Sequence, residues 1–336
     1  MQGVRAVRSA AAGVALVLAF VFTASPFVKA QNSAGSDVVG VGNFSRIVAN
    51  MDRAVAFYRD VLGLDVTANV AFSPNPAIMR LGNTIGAQSR MMQLRVPGSD
   101  MGVELIEYKD IERRVQTPRF VDPGAANFAF RVRDLSRIVA KLPGSGAKII
   151  TEGGTPTTLN NSQFLFLQDP DGFVVELMQA PAPADSKVPA ASNVYGGAFE
   201  LTVDDSERSV KFYKEMLGID MPLGAAFNDN QQMARTAGAP GASFRQSRAT
   251  IPGTSTAFTL IEFTNVPRTP LRGRVQDPGT AILQLRVRDV DALVKKMKTA
   301  DVPIVTTGGE AVEIRPGLKI VIVKDPNNLM LELMQN

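Results

Sequence analysis

The chain repeats itself at a spacing of 155 residues, and this repeat constrains the fold more than any other feature. Segment 57–66 returns as segment 212–221, with five of ten positions identical and the other five conservatively changed. The spacing is kept through the middle of each copy and becomes 156 near the end, where 176–179 returns as 332–335. A fixed spacing of this length indicates a duplicated domain with one inserted residue.

The repeat divides the chain into two copies, residues 38–179 and 193–336, joined by a Pro/Ala-rich linker at 180–192. Each copy is long enough to bury a core of its own. Within a copy, the order strand, helix and three strands occurs twice, so the sequence predicts an α+β fold with four βαβββ units. Asn50 or Asp52 is expected to cap the first helix, and Gly63 to end it.

The first thirty residues have the pattern of a secretory signal. Arg5 and Arg8 precede an apolar run from Ala10 to Phe22, and small residues lead up to Ala30. The run is 13 residues long, whereas a membrane span needs about 20, so the pattern favours export over an uncleaved anchor. We expect cleavage after Ala30, a short N-terminal segment at 31–37, and a secreted or periplasmic protein.

Composition excludes several kinds of site. The chain has no His, no Cys and no Trp, which rules out Ser-His-Asp triads, thiolate nucleophiles and zinc or iron sites with His or Cys ligands. Without residues 1–30 the chain carries 33 basic and 32 acidic residues, with no basic stripe, so nucleic acid is not an expected partner. No later apolar run is long enough to span a membrane. The expected partner is a small molecule, and a homo-oligomer is compatible with the sequence.

The repeated unit resembles the vicinal oxygen chelate superfamily, which includes glyoxalase I, extradiol dioxygenases and bleomycin-binding proteins. The resemblance is carried by Phe57-Tyr58 and Leu62-Gly63 in the first helix and by Asp169-Pro170-Asp171-Gly172 before the last strand. It implies tandem domains, each with two βαβββ units that form a cupped mixed sheet around a divalent metal.

The resemblance also implies where metal ligands would lie. The usual set is His, Glu, His and Glu, and the corresponding residues of the first copy are Asn43, Glu104, Asn127 and Glu176. The second copy offers Ala198, Thr259, Ile282 and Glu332, so one metal site, in the first copy, is expected. Shifted ligands at Glu200, Gln284 or Glu262 are the alternative.

Two carboxylates and two amide oxygens would form an all-oxygen site, which suits Mg²⁺, Mn²⁺ or Ca²⁺. The metal would polarise vicinal oxygens of a substrate while Glu176 or Glu104 moved a proton. Without a metal, two carboxyls facing one another would repel, and one would take up a proton. No organic cofactor is indicated.

Three further residues have predicted roles. Arg90 could face the cup and bind an anionic substrate, or it could lie at the surface. Glu107 and Glu262 lie on the opposite strand face from Glu104, so we expect salt bridges there rather than metal ligation.

The sequence leaves three functions open. The first is a metal-assisted lyase, isomerase or oxygenase of the vicinal oxygen chelate type that does not depend on His. The second is a non-catalytic small-molecule binder with a lost metal site, and the third is a scaffold or subunit-contact module. The convergence of Asn43, Glu104, Asn127 and Glu176 in one cup would favour the first.

Overall fold

A computed structural model describes residues 35–336. The predicted signal segment and its cleavage after Ala30 lie outside the described residues. Within 35–336, none of the helices combines the length and the apolar character that a membrane crossing requires.

The first copy contains two strand-rich units, as predicted. Its first helix begins after Asn50, whose side chain accepts a hydrogen bond from the backbone N–H of Arg53, and it continues into a π-helical turn. The strands are β1 (Val38–Ile47), β2 (Asp65–Ser73), β3 (Gln88–Arg95), β4 (Gly102–Lys109), β5 (Ala126–Val132), β6 (Lys148–Ile149), β7 (Thr157–Leu159), β8 (Ser162–Gln168) and β9 (Val174–Gln179). The helices are α1 (Met51–Val55) with the π-turn Ala56–Val61, α2 (Pro76–Gly82) and α3 (Leu135–Val139), with a 3-10 turn at Glu152–Gly154.

The second copy follows the same order with fewer strands. Residues 220–227, which correspond to β2, form no strand. The strands are β10 (Val194–Val203), β11 (Ser243–Thr250), β12 (Ala257–Thr264), β13 (Ala281–Val287), β14 (Val312–Arg315), β15 (Leu318–Lys324) and β16 (Met330–Gln335). The helices are α4 (Ser206–Leu217), α5 (Gln231–Thr236) and α6 (Val290–Thr299).

The α+β class is confirmed, and the sheets combine strands from both copies rather than from one copy each. Sheet A has the order β14-β15-β16-β13-β1-β4-β3-β2, and β1 pairs antiparallel with β13 of the other copy. Sheet B has the order β11-β12-β10-β5-β9-β8-β6, with β7 beside β8, and β10 pairs with β5. The fold therefore has two curled eight-stranded sheets, each built from one unit of each copy.

The main core lies between the two sheets and under the helices. Phe44 of β1 and Phe128 of β5 are both fully buried there, with ring centroids 6.4 Å apart. Side chains alternate between the two faces of a strand, so Asn43 and Asn127, which precede these rings, point away from the shared core. The face of each sheet that points away from the shared core lines a separate cup. We call these cup A for sheet A and cup B for sheet B.

The predicted salt bridges are confirmed on the core-facing side of both first units. Arg90 contacts Glu107 at 2.7 Å, and Arg245 contacts Glu262 at 2.9 Å. Each glutamate also accepts the backbone N–H of the first residue of its neighbouring helix, at 2.9 Å in both cases. These carboxylates stabilise helix N-termini and do not face either cup.

Candidate functional site

The four residues predicted to form one metal site are divided between the two cups. Asn43 and Glu104 lie on β1 and β4 of sheet A, whereas Asn127 and Glu176 lie on β5 and β9 of sheet B. The expectation that they converge in one cup is wrong, because each copy contributes its two halves to different sheets. Each cup instead combines residues from both copies.

Cup A contains a buried polar cluster, site A, centred on Glu104. Its carboxylate accepts hydrogen bonds from the Ser45 hydroxyl at 2.8 Å, the Gln284 amide at 3.0 Å and the Gln93 amide at 2.9 Å. Glu332 lies beside Gln284 in the neighbouring strand. Burial, followed by the charge of Glu104, raises the pKa of Glu332 to about 8, so this second carboxyl is protonated near neutral pH.

The orientation of Gln284 argues against a cation in site A. Its amide oxygen accepts the backbone N–H of Asn43 at 2.8 Å, and its NH₂ group therefore faces Glu104. A metal would need that oxygen as a ligand, but the site presents N–H and O–H donors around one carboxylate. The donor set of site A fits an anionic carboxylate held by neutral donors and does not fit a divalent cation.

Cup B contains a different cluster, site B, in which two carboxyl groups meet. Glu176 of β9 and Glu200 of β10 are 2% and 3% exposed, and their side chains are in hydrogen-bonding contact. Asn127 donates its amide N–H to Glu200 at 2.9 Å. Arg248 and Thr259 of the adjoining strands complete the cluster.

The surroundings of Glu176 and Glu200 in site B affect the pKa values of their carboxyl groups differently. Burial, followed by the neighbouring charge of Glu200, raises the pKa of Glu176 well above its ordinary value. Burial also raises the pKa of Glu200, but the hydrogen bonds from Asn127 and Glu176 oppose that rise. Like charges in contact cannot both persist in a buried site, so protonated Glu176 donates to ionised Glu200. One acid and one base result.

Site B also fails the test for a divalent cation. Arg248 is close enough to influence the charges of both Glu176 and Glu200, and its positive charge would repel a cation beside the carboxyl pair. Asn127 donates its NH₂ group to Glu200. Within the described part of the chain, its Oδ1 and the Oε2 of Glu176 are buried without a hydrogen-bond partner, but the proton that the carboxyls share and the nearby charge of Arg248 disfavour a cation there. Across residues 35–336, no three Asp, Glu, His or Cys side chains are grouped to hold a metal.

Of the shifted positions considered from the sequence, Glu200 and Gln284 lie in the cups, and Glu262 does not. Arg90 is placed on the face of β3 opposite Gln93, where it contacts Glu107 and Asp52. It therefore points away from Glu104, and its predicted role in substrate binding has no geometric support.

Arg248 is not among the site residues that the sequence predicts, although the repeat contains a signal for it. Arg248 occupies the position of Gln93 at the repeat spacing of 155, so a neutral donor of cup A is replaced by a cation in cup B. Site B lies at a pocket of about 50 Å³ that Arg131 and Gln246 also line. Arg131 and Arg248 continue from there into an outer pocket of about 350 Å³ beside the linker.

Both copies of the repeat match the same family of known proteins. The family model described as the Glyoxalase/Bleomycin resistance protein/Dioxygenase superfamily matches residues 40–177 and again residues 197–333. Glyoxalase I from Zea mays superposes with a TM-score of 0.55 at 20% identity, covering 88% of this chain and 92% of the maize chain. A putative dioxygenase from Bacillus subtilis gives 0.56 at 14% identity, covering 89% and 86%.

Two curated relatives are more similar in sequence over shorter segments. A lactoylglutathione lyase of Arabidopsis thaliana is 31% identical over 100 residues, which are 30% of this chain and 31% of the relative. A 2-epi-5-epi-valiolone epimerase of an Actinomyces species is 27% identical over 154 residues, which are 44% of this chain and 82% of the epimerase. The chain thus matches about a third of the length of the lyase.

Proposed function

We propose that this chain, which belongs to the glyoxalase/bleomycin resistance protein/dioxygenase superfamily, binds a small molecule in cup B and transfers a proton on it. The observation that supports this proposal is the contact between Glu176 and Glu200 in a buried site that adjoins a pocket. In this proposal, ionised Glu200 removes a proton from a carbon next to a carbonyl group. Protonated Glu176 donates its proton to the carbonyl oxygen, so that a neutral enol forms. Glu200 gains a proton and Glu176 loses one, so the total charge of the pair is unchanged.

Of the two glutamates to which the sequence assigned catalysis, Glu176 keeps this role and Glu104 does not. Glu104 accepts hydrogen bonds from three neutral donors. Among residues 35–336 no carboxyl group, Glu332 included, is hydrogen-bonded to it. Site A is therefore proposed as structural. Acid–base catalysis of this kind contributes about 10²–10⁴-fold to a rate.

The proposal is tested by solvent deuterium incorporation, followed by NMR. Lactoylglutathione and 2-epi-5-epi-valiolone, the compounds in the relatives' names, are incubated with the protein in D₂O together with simple 2-hydroxyketones. We expect exchange at the carbon next to the carbonyl of at least one compound, and a loss of about 10²-fold or more in Glu200→Gln. Glu332→Gln is the matched control, because Glu332 holds the position of Glu176 in cup A.

The second candidate is a binding module without catalysis, which the two adjoining pockets of cup B would equally serve. Ligand binding in cup B with no deuterium exchange on any compound would support this alternative. Equal exchange rates in Glu200→Gln and Glu332→Gln would contradict the assignment of Glu200 as base.

We also propose that the chain is exported, on the basis of the basic start, the 13-residue apolar run and the small residues before Gln31. N-terminal sequencing of the protein recovered from its native compartment tests this. We expect Gln31 as the first residue, and retention of residues 1–30 would contradict export.

A further inference from the structure

We infer that the outer pocket beside the linker binds an anionic group, a carboxylate or a phosphate, carried by the small molecule. The placement of the reacting part of that molecule at Glu176 and Glu200 rests on the proposed function. The anion site itself rests on Arg131 and Arg248, which line both the outer pocket and the inner one.

Two arginines that line this pocket have no salt-bridge partner among the described residues. Among residues 35–336, neither Arg131 nor Arg248 forms a salt bridge within 4.0 Å, whereas Arg90 and Arg245, on the core side of the corresponding strands, both do. Asp185 of the linker also lines the pocket, but it is exposed and pairs with neither arginine. The Nε of Arg248 is buried and has no hydrogen-bond acceptor. Buried donors without an acceptor are costly, and a bound anion would supply the acceptor.

The two arginines also repel one another. Burial lowers the pKa of Arg248, the charge of Glu200 opposes this effect, and the charge of Arg131 lowers the pKa further. Because Glu200 shares a proton with Glu176, the pair supplies about one negative charge against two positive ones. A second negative charge is missing, and guanidinium groups bind carboxylate and phosphate groups through paired N–H donors.

The outer pocket has the size and walls of a small-molecule site. Its volume of about 350 Å³ lies within the range of ligand pockets, roughly 300–1,000 Å³. Linker residues Pro183, Lys187 and Val188 form one wall, and Tyr195 of β10 lies against it. The linker between the two copies thus serves as part of the binding site, and Lys187 adds a third cation at its rim.

Cup A supplies the matched control. Arg286 corresponds to Arg131 at the repeat spacing, but its Nε donates to the backbone carbonyl of Val41 at 3.3 Å. Gln93, which corresponds to Arg248, donates to Glu104. The anion site is therefore expected in cup B and not in cup A.

The test is calorimetric titration of the full chain with inorganic phosphate, succinate and the neutral succinamide, at neutral pH and low salt. We expect phosphate or succinate to bind and succinamide not to bind; which anion binds identifies the group. Arg131→Gln and Arg248→Gln should each weaken binding about tenfold or more, because a charge-assisted hydrogen bond is lost. Arg286→Gln should leave binding unchanged.

Arg131→Lys keeps the charge, and it replaces Arg131→Gln if that variant does not fold. A lysine lacks the paired donors, so weaker binding in this variant would still support the inference. No binding of either anion by the unmodified protein, or equal effects of Arg131→Gln and Arg286→Gln, would overturn it. This readout is independent of deuterium exchange, so anion binding without exchange contradicts the proposed catalysis alone.

Discussion

Glu176 and Glu200 belong to different copies of the repeat, yet their carboxyl groups meet in one buried site. Their strands, β9 and β10, both pair with β5, which carries Asn127 between them. The site therefore exists only because β5 of the first copy pairs with β10 of the second. The pairing of strands across copies, rather than the ligand positions of a single copy, determines which residues can act together.

The first prediction concerns this pairing. A protease recognition sequence inserted between Ala184 and Asp185, both exposed, should allow the linker to be cut without separation of the halves. They should stay together because β1 pairs with β13 and β5 with β10. Size-exclusion chromatography with light scattering checks this result. Two separated, folded halves under native conditions would contradict the described sheets.

The second prediction concerns the buried ion pair of the first copy. Arg46 is fully buried and contacts Asp169 at 3.3 Å, and Tyr58 donates to the same carboxylate at 2.6 Å. Asp169→Asn should lower the free energy of unfolding by about 3–5 kcal/mol, because the charge of Arg46 stays buried without a counter-charge. Urea unfolding at neutral pH measures this change.

Asp325 provides the control for this variant. It accepts a hydrogen bond from Tyr213 at 3.1 Å, as Asp169 does from Tyr58, but Leu201 stands where Arg46 would be. Burial raises the pKa of Asp325 to about 6. Asp325→Asn should therefore change stability by only about 1 kcal/mol. Equal losses in the two variants would mean that the charge of Arg46 is unimportant.

The third prediction concerns the dependence of stability on pH. Glu332 has a pKa of about 8 in the folded protein, against an ordinary 4.5. The folded protein holds this proton up to about pH 8, whereas the unfolded chain releases it near pH 4.5. The contribution of the neutral carboxyl to stability is therefore fully present below pH 4.5 and is lost as pH rises towards 8. Glu332→Gln should be more stable than the unmodified protein by on the order of 2–4 kcal/mol above pH 8 and nearly equal near pH 4.5.

Urea titrations across this range check the third prediction. Glu215→Gln, at an exposed position of α4, is the control. A difference between Glu332→Gln and the unmodified protein that does not grow with pH would contradict a neutral buried carboxyl.

Much of the fold was predictable because local patterns specify it. The helix stripe at Phe57 and Tyr58, the cap at Asn50 and the strand alternation that separates Glu104 from Glu107 depend on neighbours in the sequence. The arrangement of the units was not predictable in this way. β1 can pair equally well with β5 or with β13, because a duplication gives both strands the same pattern, and the repeat spacing does not distinguish the two arrangements.

The candidate site shows the same limit. The resemblance predicts Glu176 from its place in the last strand, and it offers Glu200 only as a shifted alternative. The sequence does not predict Arg248, because its strand neighbour Thr259 carries no charge. The functional importance of Arg248 becomes clear only when the fold brings Glu176 of the other copy near it. The resemblance places Asn43 and Asn127 in one set of ligands, although they face different cups.

The central claim is that Glu176 and Glu200 share one proton in cup B, and carboxyl ¹³C NMR of glutamate-labelled protein measures this most directly. We predict that near neutral pH one of the two resonances lies in the protonated range and the other in the ionised range. Glu200→Gln should lower the pKa of Glu176, because a neighbouring charge is removed, whereas Glu104→Gln in cup A should not. If both carboxyls were already ionised at about pH 5.5, or if Glu176 titrated identically in Glu200→Gln, the account would be contradicted.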